Sequence, residues 1–244
     1  MNQHFKRTKE VEDLAAATAV LRKGYVCSLA HVDPVTGRPR CVPMVYAYHE
    51  EADQKLIYLH GSIHWPPQTK LEPSLRQLWS DTGVPVCLAV TLLDGLLVGR
   101  AAISTSLNYR SVVVDGVARK VAAANRAKAF EALCNQVVPG RWPELRPIKD
   151  GKGGELDSDE EHTPTVGVLS VSLTEKDTIV RSKTHAAPEP EHENQQDRDW
   201  DHGNAWGGLV PMRQVYGPAV PDSHVKDKEA DPPDSVLRLI GRSR

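Results

Sequence analysis

Two stretches carry polar side chains at spacings that could do chemistry. In the first, Ile57-Tyr58-Leu59-His60-Gly61-Ser62, an apolar run ends on a histidine, a glycine and a hydroxyl, with Lys70 and Arg76 further along. Gly-Ser at a strand end opens backbone N–H groups beside a hydroxyl, and a nearby lysine or arginine would make that a cradle for a phosphate. A plain β-turn with a hydrogen-bonded histidine is the competing reading. The second stretch, Asn108-Tyr109-Arg110-Ser111, lines up four hydrogen-bonding side chains at the head of the β-branched run Val112-Val113-Val114. A polar strand entry would look the same.

Histidine spacing argues against a metal. His60 and His64 are four apart, but His60 reads as a strand residue, so helical geometry does not pair them. A proton donor or a ring contact suits His60 better. His185, His192 and His202 lie among acids in a run poor in apolar residues and read as part of a solvated loop.

The elements that must position these residues are mostly strands. Glu10–Lys23 has helical spacing with Gly24 as a stop. Tyr25–Val32, Cys41–Tyr48 and Lys55–Ser62 follow as an antiparallel meander, with Pro43 marking an edge or a bulge. Val84–Leu93 is apolar on both faces, Asp94-Gly95 signals a hairpin, and Leu96–Ser104 returns. Tyr109–Ala122 is a long strand with Gly116 as a bend or bulge. Asn125–Val138 is a helix stopped by Pro139-Gly140, and Thr165–Leu173 alternates cleanly. Ala205–Val215 regains apolar character and should dock back on the body. Six or seven strands with short connections favour a mainly β fold, a β-barrel with peripheral helices. The division expected is 1–24 as a helical extension, 25–215 as the barrel domain and 216–244 as a tail. Loops at about 150–163 and 185–204 are expected to be mobile.

Bulk properties limit the function classes. The chain has 244 residues, 40% hydrophobic and 25% charged, and a net charge of −2, which gives no electrostatic footprint for nucleic acid or an anionic membrane. Four cysteines without a C-x-x-C pair suggest a reducing compartment. The N-terminal stretch lacks an apolar core of signal type, so a cytoplasmic location is expected. No G-x-G-x-x-G is present, so a nicotinamide coenzyme would be a transient reductant.

An ordered set of segments carries a family likeness. It comprises VPMVYAY (Val42–Tyr48), IYLHGS (Ile57–Ser62), PVCLAVTLLDGL (Pro85–Leu96), NYRSVVVDGVARKV (Asn108–Val121), PGRWPELRP (Pro139–Pro147) and WGGLVPM (Trp206–Met212). The set resembles the pyridoxamine 5′-phosphate oxidase-like split-barrel flavoproteins, and within them the nitroimidazole-resistance and flavin-nucleotide-binding branch. The resemblance implies a six-stranded antiparallel split barrel that forms a homodimer with FMN at the interface. It places the phosphate near His60, Gly61 and Ser62 on the strand that carries Tyr58. An insertion at Ile63–Gln68 leaves Lys70 and Arg76 both open for the basic role, with Arg110 and Ser111 as further donors. Val42, Pro43 and Met44 would wall the ring slot, with Asn108 and Tyr109 nearby. Lys183 matches a basic position after the last strand, so His60, Tyr109 and Lys183 are the candidate catalytic set. Trp206 would cover the ring, seal the dimer or simply anchor the core. Two functions stay open. One is an FMN-dependent oxidoreductase acting on a small organic substrate, with NAD(P)H as a possible reductant. The other is a non-catalytic flavin-, haem- or deazaflavin-binding protein. The acidic run between Glu189 and Asp201 argues against pyridoxamine phosphate as substrate.

Overall fold

The computed structural model describes residues 9–11, 13–52, 54–63, 76–145, 166–183, 206–227 and 230–241. Lys70, His64 and the loops 150–163 and 185–204 lie outside them. In chain order the elements are β1 (Lys9–Val11), α1 (Leu14–Leu21), β2 (Val26–Val32), β3 (Pro39–Glu51), β4 (Gln54–Ser62), β5 (Val84–Val98) and β6 (Ser106–Lys120). They continue with α2 (Ala123–Val137), β7 (Val166–Ser172), β8 (Thr178–Lys183), β9 (Gly208–Pro211) and α3 (Asp234–Ile240).

One strand order holds the architecture: β1-β8-β6-β7-β4-β3-β2-β5-β9, with β5 also bonded to β6. That last pairing closes β2 to β7 into a ring of six antiparallel strands, while β1, β8 and β9 extend it at the edges. The fold is thus a mainly β split barrel. Alternation explains why these segments close. Cys27 and Leu29 of β2, Met44, Tyr46 and Tyr48 of β3, Ile57 and Leu59 of β4, Val86, Leu88 and Val90 of β5, Val112 and Val114 of β6, and Leu169 and Val171 of β7 all enter one core. A second core forms outside the barrel, where Ala129 and Leu133 of α2 cover Ala47, Tyr58 and Val168.

Several elements differ from their sequence reading, each for a physical reason. Lys9–Val11 is a strand paired with Val180–Ser182 of β8, and the helix starts only at Leu14, where the Asp13 carboxylate accepts from the N–H groups of Ala15 (2.8 Å) and Ala16 (3.2 Å). Nor is α1 peripheral. Ala17, Val20 and Leu21 are buried in the main core, and the C-terminal Leu21 carbonyl accepts from the Tyr46 hydroxyl and the Gln136 amide.

Asp94-Gly95 is not a hairpin turn. β5 runs on to Val98, and its register to β6 slips between Leu93 and Gly95, which makes Asp94 a bulge. The Asp94 carboxylate is taken by Arg110, its carbonyl accepts from the Met212 N–H at 3.0 Å, and a side chain at Gly95 would meet Leu209 of β9 at 2.7 Å. The dipeptide serves a close three-strand approach. Gly116 sits in unbroken register opposite Val86, and its missing side chain makes room for Val171, whose Cγ1 would be 2.7 Å from a Cβ there.

Candidate functional site

The opening that organises the site is a change of partner along β3. From Tyr46 to Glu51 it is laddered to β4, ending at the pair Tyr46↔Leu59. From Pro39 to Val45 it is laddered to β2 instead. The last residues of β4, His60, Gly61 and Ser62, pair with Val168, Gly167 and Val166 of β7. Beyond Tyr46 and Leu59 the two strands therefore part, and each presents one edge of backbone groups with no ladder partner from the other. Pro43 lies in this stretch, bonded to a strand on one side only, which is where a residue lacking an N–H is tolerated.

His60 stands at the parting. It is half-buried, its ring 6.1 Å from that of Phe130 on α2, and burial alone holds its pKa below the ordinary histidine value. A neutral imidazole there can accept or donate one proton. Ser62 and Gly61 are half-exposed at the strand end. Arg76 is exposed at the start of a short 3-10 turn, Arg76–Leu78, whose Leu78 is buried in the main core. The other residues of this group play a different part. Met44 and Tyr58 are buried core residues, Val42 packs on the main core, and of these four only Pro43 presents its side chain to solvent.

Asn108, Tyr109, Arg110, Ser111, Lys183 and Trp206 gather elsewhere, at the end of the sheet made by β5, β6, β8 and β9. Alternation splits the polar run, Asn108 and Arg110 on the face of Val112 and Val114, Tyr109 and Ser111 on the other. Arg110 is held by a two-pronged ion pair, its Nε 2.8 Å and Nη2 2.6 Å from the Asp94 carboxylate. The β6–β8 register sets Tyr109 opposite Lys183. Trp206 is 65% exposed just before β9. His60 and Tyr109 lie on strands that are not paired with each other. β7 lies between their strands and joins β6 only at Arg119 and Lys120, which leaves Tyr109 about 11 steps, at most roughly 35 Å, up the strand.

One cluster escaped the sequence reading. Asp33, in the turn between β2 and β3, is 2% exposed, yet its carboxylate is fully partnered. Oδ1 accepts from the N–H groups of Val35 (2.9 Å) and Thr36 (3.0 Å), and Oδ2 from Arg40 Nε (3.2 Å), Arg40 Nη2 (3.1 Å) and Gln77 Nε2 (3.2 Å). These donors, the two turn N–H groups foremost, hold its pKa far below the usual carboxylate range. The Asx turn was readable in Asp33-Pro34-Val35-Thr36, whereas the bond to Gln77 spans the fold.

Among the described residues no group of three or more His, Cys, Asp or Glu is placed to hold a metal ion, and no helix is long and apolar enough to cross a membrane. Among curated proteins none matches the chain. Two solved structures share its fold over nearly all its length. One is the FAD and heme binding protein from Mycobacterium smegmatis, at 22% identity and a TM-score of 0.71, covering 95% of this chain and 97% of that one. The other is the flavocytochrome Anf3 from Azotobacter vinelandii, at 22% identity and a TM-score of 0.67, covering 98% of this chain and 94% of that one. At such identity they speak for the fold alone. The family model described as pyridoxamine 5′-phosphate oxidase matches residues 13–181, well over half of the sequence, and the chain belongs to that family.

Proposed function

We propose that the chain is an FMN-dependent oxidoreductase that acts on a small organic molecule. The parting of β3 from β4 beside His60 and Ser62, in a chain of this family, is the observation that carries the reading. The donor set there suits a mononucleotide. The Ser62 hydroxyl, the Arg76 guanidinium and the strand-edge N–H groups can hold one phosphate, and Pro43 with the backbone around it offers a flat apolar edge for a ring. When bound, the flavin supplies hydride or electron transfer. His60, neutral at the parting, would pass a proton to or from a substrate. The nicotinamide reductant, if one is used, would come and go.

A second copy completes the site in this proposal. Leu96 sits between Leu107 and Val210, and together with Leu93, Met212 and Trp206 they leave the far end of the sheet apolar and exposed. A two-fold partner would lay the same face of its own on that row, and would have to span from there to the slot to complete it. The four free cysteines suit a reducing, cytoplasmic setting.

A haem alongside the flavin is the second reading, favoured by the two full-length fold neighbours that carry both kinds of group in their names. An absorption spectrum of the purified protein and mass spectrometry of the heat-released cofactor separate the readings. Flavin bands bleached anaerobically by NADPH or NADH, with FMN released, are expected. Release of FAD would overturn the mononucleotide assignment, a Soret band would establish the second reading, and a colourless protein that takes up no flavin would overturn both.

A further inference from the structure

A cavity of about 390 Å³ opens between the end of α1, β3 and α2, and none of its lining residues belongs to the slot. Gln136 of α2 fixes one wall, donating to the carbonyls of Leu21 (3.0 Å) and Gly24 (2.6 Å). Several polar groups in the lining are unspent among the described residues. Arg22 lies over the Tyr48 ring, 5.3 Å from its centroid, and gives only Nη2 to Glu50 (2.9 Å), which Lys55 also holds. Its Nε and Nη1 are left over. Glu131 makes no hydrogen bond or ion pair. Asn135 accepts from the Trp142 N–H through Oδ1 (3.2 Å) and keeps its amide protons. Nε2 of His49 is shut off from solvent without a hydrogen-bond partner, which costs stability. Glu51 Oε2 stands 3.8 Å from it, held instead by Lys128.

An unspent guanidinium edge and an unpartnered carboxylate in one cavity suit a ligand that carries both charges. Arginine grips a carboxylate with parallel N–H groups, and a free carboxylate takes an ammonium. Lys128 and Asn135 stand two turns of α2 apart, roughly 10 Å, with Glu131 between them. The Gln136 bonds bring Arg22 to the Asn135 end, so the groove has a cation toward each end and an acid in the middle. We propose that this cavity binds an acidic α-amino acid. Arg22 and the Asn135 amide hold the α-carboxylate, Glu131 holds the ammonium, and Lys128 takes the side-chain carboxylate. Lys128 leaves Glu51 to do so, and Glu51 closes on His49 and satisfies its orphaned nitrogen. The site stands apart from the slot and does not rest on the flavin reading.

Calorimetric titration of the full chain with L-glutamate, L-glutamine and glutarate tests the contacts one by one. Glutamine lacks the side-chain charge, and glutarate lacks the ammonium. Wild type should bind L-glutamate at least about tenfold more tightly than either, given what charge-assisted hydrogen bonds contribute. Glu131→Gln should weaken L-glutamate about tenfold and leave glutarate no weaker. Lys128→Met should weaken L-glutamate about tenfold and leave L-glutamine within about twofold. Arg22→Met should weaken all three, since each keeps the carboxylate that Arg22 holds. Glu131 is exposed and the Lys128 side chain is 42% exposed, so both selective variants should fold. No binding of L-glutamate by wild type at about 10 mM would overturn the proposal. Equal affinity of wild type for the three ligands would overturn it as well. So would losses in Glu131→Gln and Lys128→Met that fall on every ligand alike, which would make both residues merely structural.

Discussion

The two ends of the strand system use their polar groups in opposite ways. Where β3 and β4 part, backbone groups leave their ladder, Ser62 is half-exposed and Arg76 is exposed. At the far end, Arg110 is paired with Asp94, the Asp94 carbonyl accepts from the Met212 N–H just past β9, and apolar side chains stand outside. An end with unspent donors is fit to bind an anion. An end with its charges paired and its leucines exposed is fit to dock against protein. Ligand binding is proposed for the first end and assembly for the second, and each proposal can be broken separately.

The largest effect should come from the docking end. Leu96→Asp with Leu107→Asp places two carboxylates on the exposed apolar row. If a second copy covers that row with an obligate interface above about 2,000 Å², burying those charges should abolish it. Sedimentation at low micromolar concentration should show the wild type as a dimer and the variant as a monomer that has lost its flavin. A wild-type monomer that retains flavin would end the assembly assignment.

Next in size is the Asp94–Arg110 pair. Arg110→Ala leaves Asp94 half-buried without its partner at the bulge that also bonds Met212, and should cost about 1–2 kcal/mol of stability. In a chain of this size that is a fall of roughly 3–6 °C in Tm. Flavin affinity per folded chain should not change if Arg110 is structural. A selective loss of FMN over riboflavin would instead return Arg110 to the phosphate set.

The reverse pattern is expected of Ser62→Ala combined with Lys70→Ala. FMN binding should weaken by about 1–3 kcal/mol, while the flavin-free chain melts within about 1 °C of wild type. Unchanged FMN affinity would move the phosphate onto Arg76 and the strand-edge N–H groups.

How far the sequence could be read follows the same division. Strand alternation in Cys27–Leu29, Met44–Tyr48, Ile57–Leu59 and Leu169–Val171 was visible because each residue's face depends only on its neighbours. The Gly61-Ser62 strand end was visible for the same reason. Asp94-Gly95 misled because a tight turn and a bulge favour the same residues, and the choice was made by Arg110 and β9, remote in sequence. The acids at Glu10 and Glu12 suit a helix start, but an open β8 edge claimed Lys9–Val11. Neither the partner switch of β3 nor the bond from Asp33 to Gln77 has a local signature, so the slot's shape and the Asp33 cluster were not legible.

The smallest effect concerns His60 and acid. Burial lowers its folded pKa below the ordinary value, so between the two values the unfolded chain binds more protons than the folded one. The stability this contributes is whole above the unfolded value, near about 6.5, and is lost as pH falls from there through the folded value. The carboxylates Asp33, Glu50, Glu51 and Glu144 are also held low, Glu50 at about 2, but their losses begin only where ordinary carboxylates titrate, near about pH 4. The window from about pH 6.5 to 5 therefore lies clear of the carboxylates. Urea unfolding of the flavin-free chain should show the wild type losing stability across it, by well under about 1.4 kcal/mol for each pKa unit of depression given the partial exposure of the ring. His60→Gln should flatten that slope while keeping the contact with Phe130 largely filled. A slope that survives in His60→Gln would mean that another group titrates there, and that His60 is already solvated enough to be protonated when it works at the slot.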